Sequence, residues 1–195
     1  MKKILIVGIS VLTLTFGGLF VAKNFNGSEP KVISDHAKVV SFETLSEMEN
    51  ESPIIVRGKK LGKLGQKKVK SKVNDNIISG WTEAEFLVKE VIKTDGNEKV
   101  KPNAKISVGE LVYEHEGIIH TTNGYKEMKN GEDYLLFLIE RDGVLSIRGV
   151  TFGKVPLNTD DVEMYADEDE PEEEVKAERA NFAKLFNEAK EKYGK

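Results

Sequence analysis

The sequence predicts a mainly β fold, a small Greek-key barrel, with a short helix before it and an amphipathic helix after it. Three observations point there. Short apolar runs recur between residues 54 and 155, separated by Asp-Gly, Asn-Gly and Pro-Asn pairs, the spacing of successive strands and tight turns. The composition, 39% hydrophobic and 32% charged over 195 residues, suits one globular domain once the biased ends are set aside. The chain contains no cysteine, so its core must hold without disulfides, and thiol catalysis, Cys-ligated zinc and a lipid-modified cysteine are excluded.

In chain order, Lys2 and Lys3 precede Ile4 to Ala22, 19 residues without a charge. As a helix this run would reach about 28 Å, close to the roughly 30 Å of a bilayer's hydrocarbon. A cleavage after Ala22 would put Phe20 at the −3 position, where a small residue is wanted, so an uncleaved transmembrane signal anchor (1–22) is favoured over secretion after cleavage. The basic start favours the N-terminus inside, which turns the soluble part to the extracellular side. A polar tether (23–40) follows.

Ser41 to Glu51 reads as a short helix capped by Ser41 or Thr44, with Leu45 and Met48 as its apolar face and Pro53 as its stop. Strands are then expected at Ile54 to Arg57, Gln66 to Val73, Trp81 to Lys93, Ala104 to Val108, Leu111 to Glu114, Ile118 to Thr122, Asp133 to Glu140, Val144 to Arg148 and Val150 to Val155. Asp142-Gly143 is the strongest hairpin signal, because both residues tolerate the positive φ that matches strand twist. Many short strands favour closure, which removes exposed edges. The oligonucleotide/oligosaccharide-binding (OB) type of barrel, over 41–158, is the first choice and a β-sandwich the second. An acidic linker (159–170) and a helix (171–195) complete the chain. Pro171 suits a first helical turn, and Val175, Phe182, Leu185, Phe186, Ala189 and Tyr193 share one face.

The runs Ser52 to Lys59, Phe86 to Lys93, Lys129 to Leu138 and Val150 to Val155 resemble small exported barrel proteins of Gram-positive bacteria. More distantly they resemble the netrin-like module of metalloproteinase inhibitors. The resemblance covers about Ser41 to Leu157 and implies a barrel with an interaction role. It carries no inhibitory mechanism over, since the inhibitors chelate zinc through an N-terminal cysteine.

Chemistry-bearing motifs are sparse. His115 and His120 stand five apart, not the four that place two zinc ligands on one helical side. Gly58, Gly62 and Gly65 miss the phosphate-loop spacing, and no serine lies in a nucleophile elbow. No catalytic residue, metal or cofactor is nominated. The net charge of −4 is segregated: Asp160 to Glu174 holds ten acidic residues, leaving the rest at +6.

The distinctive feature is basic. Arg57, Lys59, Lys60, Lys63, Lys67, Lys68, Lys70 and Lys72 place eight positive charges in sixteen residues. In a strand Lys68, Lys70 and Lys72 fall on one side, with Val69 and Val73 directed inward. The expectation is a membrane-tethered binding module whose basic hairpin meets an anionic envelope polymer, lipid headgroups or an acidic protein. Few aromatic residues interleave the lysines, which argues against nucleic acid. Three alternatives stay open: the face Val175, Phe182, Leu185, Phe186 and Tyr193 docks another protein, the acidic run covers the lysines within the molecule, or the chain is an enzyme of unknown class.

Overall fold

The computed structural model describes residues 30–70, 78–165 and 171–194. The proposed anchor, the start of the tether, Lys72, Val73 and part of the acidic linker lie outside these residues. The protein is mainly β, with two sheets and a C-terminal helix. Among the described residues no helix is long and apolar enough to cross a membrane.

The chain runs through β1 (Val32–Asp35), α1 (Leu45–Asn50), β2 (Ile54–Lys70), β3 (Ile78–Lys93), β4 (Lys105–Glu110), β5 (Val112–His115), β6 (Ile118–Thr122), β7 (Asp133–Arg141), β8 (Val144–Ile147), β9 (Lys154–Pro156) and α2 (Glu172–Tyr193). The small sheet has the order β1-β6-β5. The large sheet has the order β2-β3-β4-β8-β7-β9, and an additional β2–β7 pairing closes five of its strands into a ring. Closure leaves β2 to β4, β7 and β8 without free edges in the ring.

Two apolar clusters follow from strand alternation. Inside the ring lie Ile54, Val56, Ala84, Phe86, Val88, Ile106, Val108, Leu136, Leu138 and Leu145. On its outer side Ile55, Leu135, Phe137 and Val155 meet α1 and α2 through Met48, Phe182, Leu185 and Phe186. Helix α1 starts on a capping box: Glu47 N donates to Thr44 Oγ1 (3.2 Å) and Thr44 N to Glu47 Oε2 (3.3 Å), which satisfies two helix-end donors.

Several expectations are corrected. The strand expected at Ile54 to Arg57 and, as far as Lys70, the one expected at Gln66 to Val73 are parts of one 17-residue strand, β2, whose pairing with β3 shifts register at four places. Glycine reads locally as a break, yet in β2 it permits close approach. A Cβ on Gly58 would stand 2.1 Å from Leu87 O and 2.6 Å from Phe86 Cε1. The strand expected at Val150 to Val155 shortens to Lys154–Pro156, because Gly149 and Val150 both adopt positive φ and turn the chain. The expected tether contains β1, which pairs in parallel with β6. The Asp142-Gly143 turn has φ of 52° and 79°, the geometry that a two-residue hairpin needs.

Candidate functional site

Strand β2 outruns the ring. Its pairing with β7 stops at Lys59↔Asp133, and that of β3 with β4 at Thr82↔Glu110. Beyond both points, from Lys67↔Trp81 to Lys70↔Ile78, the two strands pair with each other and form a two-stranded arm. All of residues 63–70 are exposed. The base of the arm is held against β5: Thr82 Oγ1 donates to Val112 O (2.6 Å), and the Gln66 amide lies 3.1 Å from both Glu114 N and Glu114 O, where with its nitrogen turned to the carbonyl it completes two hydrogen bonds.

The eight basic residues separate into distinct environments. Arg57 pairs with Glu90 at 2.9 Å, Lys59 lies 3.9 Å from Asp133, and Lys63 pairs with Glu127 at 2.6 Å. Lys60 is fully buried, in phase with Ile54, Val56 and Gly58 on the inner face, so it does not belong to a surface site. On the arm, Lys67 lies 3.9 Å from Glu83, a loose contact between exposed groups that contributes little. Lys68 and Lys70 have no ion-pair partner among the described residues. Val69, expected to point inward, is 50% exposed, because a two-stranded arm has no third layer to cover it. Lys72 lies outside the described residues.

Lys60 belongs to a buried polar cluster at one end of the ring that the sequence reading missed. Its Nζ donates to Glu110 Oε2 (2.7 Å), Glu127 Oε1 (2.6 Å) and Met128 O (2.8 Å). Glu110 Oε1 accepts from Tyr125 Oη (2.8 Å) and Met128 N (2.7 Å). Burial raises the Glu110 pKa above the ordinary carboxyl value, against the pull of Lys60. Lys154, equally buried, stands 4.4 Å from the centre of the Tyr125 ring and 3.6 Å from Glu163 Oε2. Burial lowers its pKa to about 8 although Glu163 opposes the shift.

Glu163 also accepts from Tyr134 Oη (3.0 Å) and pairs with Lys129 at 3.1 Å. Every charge in this cluster is compensated, and Glu110 and Lys60 are sealed from solvent. An acid or base catalyst needs reach to a substrate proton, so the arrangement reads as a polar plug of the barrel end. Glu163 and Asp160, the latter 2.9 Å from Lys190, bind part of the acidic run to the body. Among the described residues neither a carboxylate of 160–165 nor that of Glu173 pairs with Lys63, Lys67, Lys68 or Lys70.

The helix face is occupied within the molecule. Phe182, Leu185 and Phe186 are at most 2% exposed in the α2 cluster, and Tyr193 Oη donates to Glu49 Oε1 (2.8 Å). Val175 is half-buried. The two histidines face across β5 and β6 with ring centres 6.4 Å apart, and His120 stacks on Tyr113. No group of three metal-ligating side chains is assembled among the described residues. No model of a known protein family matches the chain, and no curated protein shows significant similarity to it.

Proposed function

We propose that the chain is a membrane-tethered, extracytoplasmic interaction module whose β2–β3 arm contacts an anionic partner at the cell envelope. The carrying observation is the arm: it projects past the closed ring and presents Lys67, Lys68 and Lys70 on exposed strand, two of them without a described counter-charge. A rigid two-stranded display loses less entropy on binding than a loose tail, so more of the electrostatic attraction remains as affinity. The tethered address rests on Lys2, Lys3 and the apolar run Ile4 to Ala22. An OB-type barrel is the finer reading of the ring. Its first strand, β2, pairs with both β3 and β7, and in such barrels the loop between the first two strands is part of the binding surface. Docking of a partner on α2 is not favoured, since that face is already buried against the barrel.

The test uses the full chain in neutral phosphatidylcholine vesicles, with polyglycerol phosphate as the anionic probe. Binding that weakens steeply with salt and is lost in K67E/K68E/K70E supports the reading. Equal binding by the triple variant overturns it.

A further inference from the structure

A groove of about 330 Å³ lies between the segment Lys38 to Val40, the end of β7 and the stretch Ser146 to Val150, with Leu111 at its edge. Its floor is aliphatic: Val39, Val40, Leu111, Ile139, Ile147 and Val150. Its polar lining is Lys38, Arg141, Arg148 and Ser146, with no carboxylate, amide or aromatic ring. That volume falls in the range of small-molecule sites, which are mostly apolar with a few polar groups fixing orientation.

The two kinds of lining point to one ligand chemistry. Neither Lys38 nor Arg141 has an ion-pair partner among the described residues. Arg148 is 9% exposed; its Nη2 pairs with Glu51 at 2.7 Å, while its Nε is buried without a hydrogen-bond partner. A buried unpaired donor is costly. Val150, a β-branched residue, holds φ at 59° in the same wall, a conformation that persists only where surrounding structure enforces it. Sugars call for amides, carboxylates and an aromatic platform, and nucleobases call for stacking rings; the groove offers none of these. An aliphatic floor beside two exposed cations, Lys38 and Arg141, suits a flexible apolar chain ending in an anion.

We propose that this groove binds a single-chain anionic amphiphile, an acyl chain with a carboxylate or phosphate head, with the chain along Val40, Leu111, Ile139 and Val150 and the head between Lys38 and Arg141. The inference is independent of the arm, whose lysines line no part of the groove.

Because Ile4 to Ala22 would itself attract amphiphiles, the test must locate the ligand within the chain. Full-length protein in neutral nanodiscs is irradiated with a photoactivatable dodecanoate, dodecyl phosphate or dodecanol, and the labelled peptides are mapped by mass spectrometry. The expected result is labelling of Val39, Val40, Leu111 or Ile139 by both anionic probes and about tenfold less by the alcohol, the ratio that one well-placed charge contact supplies. K38E/R141E should lower the anionic labelling to the level of the alcohol at unchanged circular dichroism. Preference for one anionic head over the other tells carboxylate from phosphate sources. Labelling confined to residues 4–22, or equal for all three probes in the groove, overturns the proposal.

Discussion

Replacing Lys60 by methionine tests whether the polar plug stabilises the barrel. Methionine keeps most of the side-chain length but removes the charge and three hydrogen bonds of 2.6 to 2.8 Å. Glu127 retains Lys63 at 2.6 Å and is 21% exposed, so it stays compensated. Glu110, with 0% exposure, keeps only the neutral donors Tyr125 Oη and Met128 N. Leaving a buried charge without its partner costs about 3 to 5 kcal/mol, and that is the expected loss in urea unfolding followed by Trp81 fluorescence. The double variant K60M/E110Q removes the orphaned charge and should recover at least half of the loss. The deficit also depends on pH. Burial already holds the Glu110 pKa above its ordinary value, and loss of Lys60 raises it further. A group with a raised folded-state pKa keeps its stability contribution at low pH and loses it as pH rises through that value. The K60M deficit is therefore smallest near pH 4 and grows towards pH 8. A loss below about 1 kcal/mol, or one that stays constant over that interval, refutes the argument.

Phe182→Ala should cost about 3 to 5 kcal/mol, since its ring is 2% exposed and centred 4.5 Å from Phe152. Calorimetry should show helix and barrel melting in one transition; a separate helix transition would show that α2 is not part of the core. Gly58→Ala should prevent or severely weaken folding, because its Cβ would meet Leu87 O at 2.1 Å, whereas Gly62→Ala, with nothing within 4 Å, should be nearly neutral. Thermal midpoints of the pair compared side by side decide this. For Lys154, whose folded pKa is lowered to about 8 from 10.5, the stabilising share is present above 10.5 and lost as pH falls through 8. Lys154→Met should flatten that part of the stability–pH curve between pH 8 and 10, as measured by urea midpoints.

Much of the architecture was legible because it follows period and turn chemistry. Ile118–Thr122 and Asp133–Arg141 fall where short apolar runs bounded by turn signals put them, and the Asp142-Gly143 turn forms as its positive-φ preference requires. The single long strand β2 was not legible, since Gly58, Gly62 and Gly65 read locally as breaks and the partner that demands the smallness of Gly58, β3, lies some thirty residues on. The inward placement of Lys60 did have a signal: it continues the even-numbered positions Ile54, Val56 and Gly58. Glu110 likewise continues Ile106 and Val108. Charge alone pulled Lys60 into a surface reading. Only the pairing of distant strands reveals that the two lie within reach of each other.

Sorting the lysines by environment changes the energetics of the proposed site. Read from sequence, eight positive charges form one patch; in the fold Lys60 is internal, Arg57, Lys59 and Lys63 face carboxylates, and Lys67, Lys68 and Lys70 remain on the arm. Each lysine near an anionic membrane surface is worth about 1 kcal/mol, so these three supply roughly 3 kcal/mol, a factor of about one hundred in binding. Lys67 gives the smallest share because Glu83 lies 3.9 Å away. For a freely diffusing protein that factor supports only weak, salt-sensitive contact. For a tethered one the partner is already present at an effective concentration near the millimolar range, and the same factor is enough to hold the arm on an anionic surface. The proposed anchor and the proposed arm thus depend on each other: the arm is strong enough to orient a protein that is already at the envelope, and too weak to bring it there.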